Sequence, residues 1–257
     1  SNIMIAAVLL HMLRVFFTRT YRYPRELNWM FGVTLFLLTL FMGFTGYSLV
    51  YEQMSYWAMK VGTGIAAATP FIGTWLADFI RGGSEIGQNT LTRFFLFHVV
   101  LLPFLLMFTV ILHLYLIRML GVSELKFPGD EKLEKKTYPL FPDHVYTELI
   151  IVTLILVLLV TLSLLFPAEL GDPANPNVTP LHIKPEWYFF PVFRWLKITN
   201  LEVGILGPIF FILILFSWPF IDRLSEKWFP GKEVAFWIGV GGFLIINAFL
   251  VWEIFGH

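Results

Sequence analysis

Six stretches of the chain are apolar on every side, and polar residues collect in the intervals between them. The stretches cover roughly 3–17, 29–50, 91–119, 145–166, 203–221 and 234–255. A helix needs about 20 apolar residues at 1.5 Å each to cross a hydrocarbon core, so five are complete spans and the first is partial. None alternates apolar with polar as a barrel strand does, and lipid tolerates no unpaired backbone. The pattern predicts an all-α, polytopic transmembrane helical bundle.

Basic residues set its orientation, because Lys and Arg are retained on the cytoplasmic side. Twelve of the 18 Lys and Arg fall in the first, third and fifth connections, and six in the two much longer intervening ones. The first, third and fifth helices therefore run inward. The long connections, 51–90 and 167–202, mix aromatic residues with Gly or Pro and are expected to form outer-side surface loops above a pocket. The chain divides into a helical region at 1–120, an inner hydrophilic linker at 121–144 containing EKLEKK, and a three-helix region at 145–257.

Composition narrows the function. Of 257 residues, 57% are apolar and 14% charged, which argues against a water-soluble enzyme. Net charge is zero, leaving no basic surface for nucleic acid. Cysteine is absent, so thiolate metal sites, cysteine-held iron–sulfur clusters and covalent haem links are excluded within these residues. Any metal must sit on His or carboxylate. The opening SNIMIAAVLL lacks a basic segment and a cleavage site, and Ser1 reads as a start inside a helix.

Ionisable residues at membrane depth are usually functional, and three histidines lie there: His11, His98 and His113. His98 and His113 are 15 residues apart, about 4.2 turns and roughly 22 Å, near one helix face at opposite depths. His11 shares the inner depth with His113, and a partner for His98 would fall just before residue 1. Two histidines from facing helices at one depth form the axial pair of a bis-histidine haem; the other reading is a satisfied polar residue between helices. Gly32 and Gly46, 14 residues apart on the second helix, sit near the two histidine depths and would admit a flat group or close helix packing.

At this point the sequence resembles cytochrome b of the quinol-oxidising cytochrome bc complexes. The matching text is HMLRVFFTRTYRYPRELNW (11–29), FTGYSL (44–49), QMSYW (53–57), GGSEIGQNTLTRFFLFH (82–98), HLYLIR (113–118), GDPANP (171–176) and TPLHIKPEWYFFPVF (179–193). The His spacing, YPRELNW and GDPANP are closest to the chloroplast-like branch, here with its cytochrome b and subunit IV parts in one chain. One departure is Leu49-Val50-Tyr51, where the family commonly has Leu-Pro-Trp.

The resemblance implies two b-type haems: His11 and His113 as metal ligands on the inner side, His98 on the outer side with a second ligand outside this sequence. It places Gly32 and Gly46 against them, Arg14 near an inner propionate and Arg118 near a propionate or quinone, although snorkelling to the interface accounts equally for both arginines. Residues 1–120 become the haem-binding region. Pro185, Glu186, Trp187 and Tyr188 become the quinone-binding motif, with Glu186 the proton acceptor for quinol and Tyr188 a hydrogen-bonding partner. Without the resemblance, an interfacial loop with an aromatic anchor serves as well.

The implied function is a cytochrome b subunit of a proton-translocating quinol oxidoreductase in an energy-transducing membrane, bacterial inner or organellar. Its implied partners are an iron–sulfur (Rieske-type) protein, a c-type cytochrome, membrane lipid and a second copy in a homodimer. A third, covalent haem is left open. The alternatives are a secondary transporter or proton channel, against which the spans show no inverted repeat, and a di-haem anchor of a soluble dehydrogenase, against which stands the Pro-Glu-Trp-Tyr loop.

Overall fold

The computed structural model describes residues 2–123, 139–181 and 183–256. The EKLEKK segment and His182 lie outside them. Every predicted span is a helix: α1 (Asn2–Phe17), α2 (Glu26–Leu49), α5 (Gln88–Leu96) continued by α6 (Leu102–Leu120), α7 (Val145–Leu165), α9 (Leu201–Trp228) and α10 (Val234–Phe255). Five of the helical stretches are long and apolar enough to cross a membrane, and α1 is a shorter apolar helix. The long connections are themselves helical, as α3 (Gln53–Ala67), α4 (Gly73–Arg81) and α8 (Phe190–Ile198). Their mixed aromatic and polar composition hides from a reading keyed to long apolar runs.

Two compact units share the chain. The first, formed by residues up to Ser123 and from Pro173 onward, is organised around α2, which packs on α1, α3, α5, α6 and α9. The second contains α7, a single apolar helix with no buried residue. Such a surface needs no protein partner in a solvent as apolar as itself.

Two local features depart from regular helix. Between α5 and α6, residues Phe97–Leu101 form a π turn in which the Leu102 amide donates to the Phe97 carbonyl. Pro103 has no amide hydrogen for the Val99 carbonyl, so the α pattern cannot run through this point. His98 sits in that turn. α9 also outruns its predicted end near residue 221, because IDRLSEKW continues the helix into a polar network.

That network closes the arginine-rich end of the first unit. Asp222 is 3% exposed and accepts from Arg22 Nε at 2.6 Å, Arg22 Nη2 at 3.0 Å and the Tyr21 hydroxyl at 3.2 Å. Tyr21 in turn accepts from Trp218 Nε1 at 3.3 Å, and Trp29 donates to the Leu215 carbonyl at 2.6 Å. Arg223 pairs with Glu26, and Arg19 with Glu233 at 2.7 Å. Beneath lies the apolar cluster of Tyr21, Trp29, Val33, Trp218 and Ala235. In lipid the hydrophobic effect between helices is weak, so such polar ties carry much of the association.

Burial, more than the neighbouring Asp222 charge, pushes the Tyr21 phenol up to about 12. Its raised folded value means the stabilisation is whole below about pH 10, where the phenol titrates when unfolded, and falls as pH climbs toward 12. Tyr21→Phe should cost about 1–2 kcal/mol at neutral pH through its two lost hydrogen bonds. The gap between parent and variant should narrow above pH 10, as read from unfolding in detergent across pH.

Candidate functional site

Bare backbone on α2 is what lets the two parts of the site approach. A methyl group on Gly46 would lie 2.7 Å from His98 Cε1, and one on Gly43 would lie 2.8 Å from the Tyr188 hydroxyl. Side chains essentially never meet that closely, so both rings rest on glycine. At Gly32 the corresponding position is 3.6 Å from His113 Cε1, ordinary contact distance. The histidine and glycine pairs proposed at two depths are thus neighbours in space, His98 with Gly46 and His113 with Gly32.

His98 has a defined partner. Thr45, 2% exposed, places its hydroxyl 3.0 Å from His98 Nδ1 and donates to the Phe41 carbonyl at 2.8 Å. A hydroxyl has one proton, and with that proton on Phe41 its oxygen accepts from Nδ1–H. The lone pair of His98 then stands on Nε2, the tautomer an axial ligand needs.

His113 Nδ1 is buried and closes no well-aligned hydrogen bond, although the Asn28 backbone and His11, from α1, both stand near the ring. An orphaned imidazole nitrogen costs about 1–3 kcal/mol in desolvation, which a bound group relieves. Free imidazole nitrogens beside bare helix backbone fit haem. Arg14 and Arg118 are exposed near the arginine-rich end.

Above Gly46 opens a cavity of about 480 Å³, within the range of small-molecule sites. Met42, Gly43, Gly46, Tyr47, His98, Glu186 and Tyr188 line it, with Met4 and Ile5 from α1. A proposed haem ligand and two of the proposed quinol-binding residues therefore share one space. Trp187 and Pro185 do not line it. Trp187 anchors the loop instead, donating to Asn2 Oδ1 at 3.1 Å and meeting Tyr188 edge to face.

Burial, and after it the nearby Glu186 charge, pushes the Tyr188 phenol up to about 12. It stays neutral at physiological pH and so keeps a proton that can be donated to a hydrogen bond. Thr45, Gly43 and Tyr47 were not among the residues singled out from sequence. Gly43 stands one turn from Gly46, a signal available in the text; Thr45 and Tyr47 lie within FTGYSL, but nothing in that text gives them a role.

The family models that match are cytochrome b (N-terminal)/b6/petB over residues 2–173 and cytochrome b (C-terminal)/b6/petD over residues 173–255. The chain is 40% identical over 258 residues to the cytochrome bc complex cytochrome b subunit of Chlorobaculum thiosulfatiphilum, covering 98% of this chain and 60% of that protein. It is 36% identical over 250 residues to cytochrome b/c1 of Bradyrhizobium diazoefficiens, covering 94% and 36%. The chain thus spans less than two thirds of the length of these curated relatives. Among solved structures it resembles the hyperthermophilic respiratory Complex III, with TM-score 0.70, 26% identity, and coverage of 98% of this chain and 75% of that one.

Gly46→Ala should destabilise by about 1–3 kcal/mol, since the imidazole stands against the helix and must move bodily. Gly64→Ala, whose methyl meets nothing within 4 Å, should be neutral or stabilising. Thermal unfolding of the two variants in detergent checks the contrast.

Proposed function

The chain belongs to the cytochrome b family, and on that premise we propose that it is the electron-carrying subunit of a proton-translocating, quinol-oxidising bc complex in an energy-transducing membrane. The family implies haem b, and two b-type haems are assigned here: one held by His11 and His113, the other by His98 with a ligand from outside these residues. Haem, when bound, supplies one-electron redox chemistry. Gly32 and Gly46 give it room. Arg14 is assigned to an inner haem propionate and Arg118 to a propionate or quinone.

The observation that carries this reading is the cavity that Glu186, Tyr188 and His98 share. Oxidising a quinol releases two protons and two electrons, and its hydroxyl protons need an acceptor within hydrogen-bond reach. Glu186 takes that role. Tyr188 keeps its own proton and orients the quinol oxygen, Pro185 and Trp187 hold the loop, and Met4, Ile5 and Met42 bind the apolar part of the ring.

These 257 residues contain no cysteine, so the iron–sulfur group that receives the high-potential electron lies outside them; we assign that role to a Rieske-type iron–sulfur protein, with a c-type cytochrome beyond it. Lipid surrounds the bundle, and the complex pairs as a homodimer. A transporter or channel finds no support in the family, and a simple di-haem anchor would have no use for Glu186 on the cavity wall.

The purified protein should show a dithionite-reducible b-type absorption band; its absence overturns the assignment. Glu186→Gln should retain that band while quinol oxidation by the complex falls at least about 100-fold. Undiminished turnover in this variant removes Glu186 from the proton role.

A further inference from the structure

At the end of the first unit opposite the arginine-rich network, a second carboxylate is wholly enclosed. Glu253, near the C-terminus of α10, has no exposed surface. Its Oε1 accepts from Lys197 Nζ at 2.7 Å, and its Oε2 faces Arg194 Nη1 at 3.5 Å with no hydrogen bond of its own. Arg194 places its guanidinium carbon 3.8 Å from the centre of the Trp252 ring, its side chain 12% exposed. Lys197 and Arg194 both belong to α8, the helix that follows Pro185–Tyr188 in the chain. A third tie comes from the other flank of that loop, where Lys184 Nζ donates to the Glu253 backbone carbonyl at 3.1 Å.

One residue therefore grips the quinol-binding loop from before and behind. Lys184 immediately precedes Pro185, and α8 begins two residues after Tyr188. No hydrogen bond of the Glu186 carboxylate appears among the described residues, so its position over the cavity depends on how its backbone is held. A buried carboxylate with two cations supplies a stiff anchor, because releasing either partner strands charge away from water.

We propose that Glu253 is a positioning residue for quinol oxidation: through Lys184, Arg194 and Lys197 it sets the placement of Glu186 and Tyr188 on the cavity wall without touching the quinol. The proposal rests on the quinol-oxidation reading above. It separates Glu253 from the carboxylates at the opposite end, Glu26 and Asp222, which tie helices to one another and reach no residue of the cavity.

The test uses the assembled complex, with a short-chain quinol and soluble c-type cytochrome as probes. Glu253→Gln should raise the KM for quinol about tenfold, a loss of productive placement, while the dithionite-reduced haem band keeps its position and intensity. Glu253→Asp, which keeps the charge on a shorter arm, should recover part of that loss. A KM within twofold of the parent in Glu253→Gln, with the haem band intact, overturns the proposal. If neither variant assembles, Lys184→Met decides: it cuts one tie without disturbing the buried charge, and should raise KM about threefold, whereas an unchanged KM overturns the proposal. A parent complex with no haem band or no quinol turnover would instead overturn the proposed function itself.

Discussion

The approach of aromatic rings to the bare backbone of α2 is the constraint on which the site depends. A helix of ordinary side chains would hold its neighbours about 8–10 Å away. With hydrogen in place of Cβ at Gly43 and Gly46, the Tyr188 hydroxyl and the His98 ring come to distances a methyl group would forbid. The two belong to segments about 90 residues apart in the chain, yet one turn of α2 brings both to the same cavity. Thr45 lies between the two glycines and fixes the proton on His98 Nδ1. In one turn, α2 supplies space twice and a hydrogen-bond acceptor once.

Around this turn, stability is concentrated at the two ends of the first unit. Helices in lipid gain little by burying apolar surface against one another, and their polar contacts decide how they associate. Asp222 gathers Arg22 and Tyr21 at one end, and Glu253 gathers Arg194, Lys197 and Lys184 at the other. The bundle between them is left with apolar walls and the histidines. Charges that would be costly near the middle of the bilayer are kept at its edges.

Much of this was legible in the sequence, because membrane solvation simplifies the problem. Long apolar runs map onto helices with ends displaced by at most three residues, α9's polar extension to Trp228 apart, since no other element survives in lipid. The depth of a histidine follows from counting at 1.5 Å per residue, so the pairing of His98 with Gly46 and of His113 with Gly32 could be anticipated. What escaped has a physical reason. The helices α3, α4 and α8 lie outside the apolar runs and have no single hydropathy signature. The π turn at His98 depends on a missing hydrogen bond at Pro103, a local effect invisible to periodicity. Glu253 stands as a carboxylate inside the last apolar run, a signal in the text, but its partners come from α8 and from the loop beside Glu186, and only tertiary structure brings them together.

On the proposed reading, the cavity sets a phenol and a carboxylate on one wall, each with its own task. Tyr188 is buried beside a carboxylate, and both effects keep its phenol protonated, so it can give a hydrogen bond but not remove a proton at physiological pH. Glu186 is half-buried on the same wall. A quinol lying between them would meet one group that orients its oxygen and one that accepts its proton. Moving either ring or carboxylate by an ångström would spoil that arrangement. The loop is fastened to α1 through Trp187 and to α10 through Lys184 and lies close against bare α2 backbone at Gly43, while the cavity itself stays open.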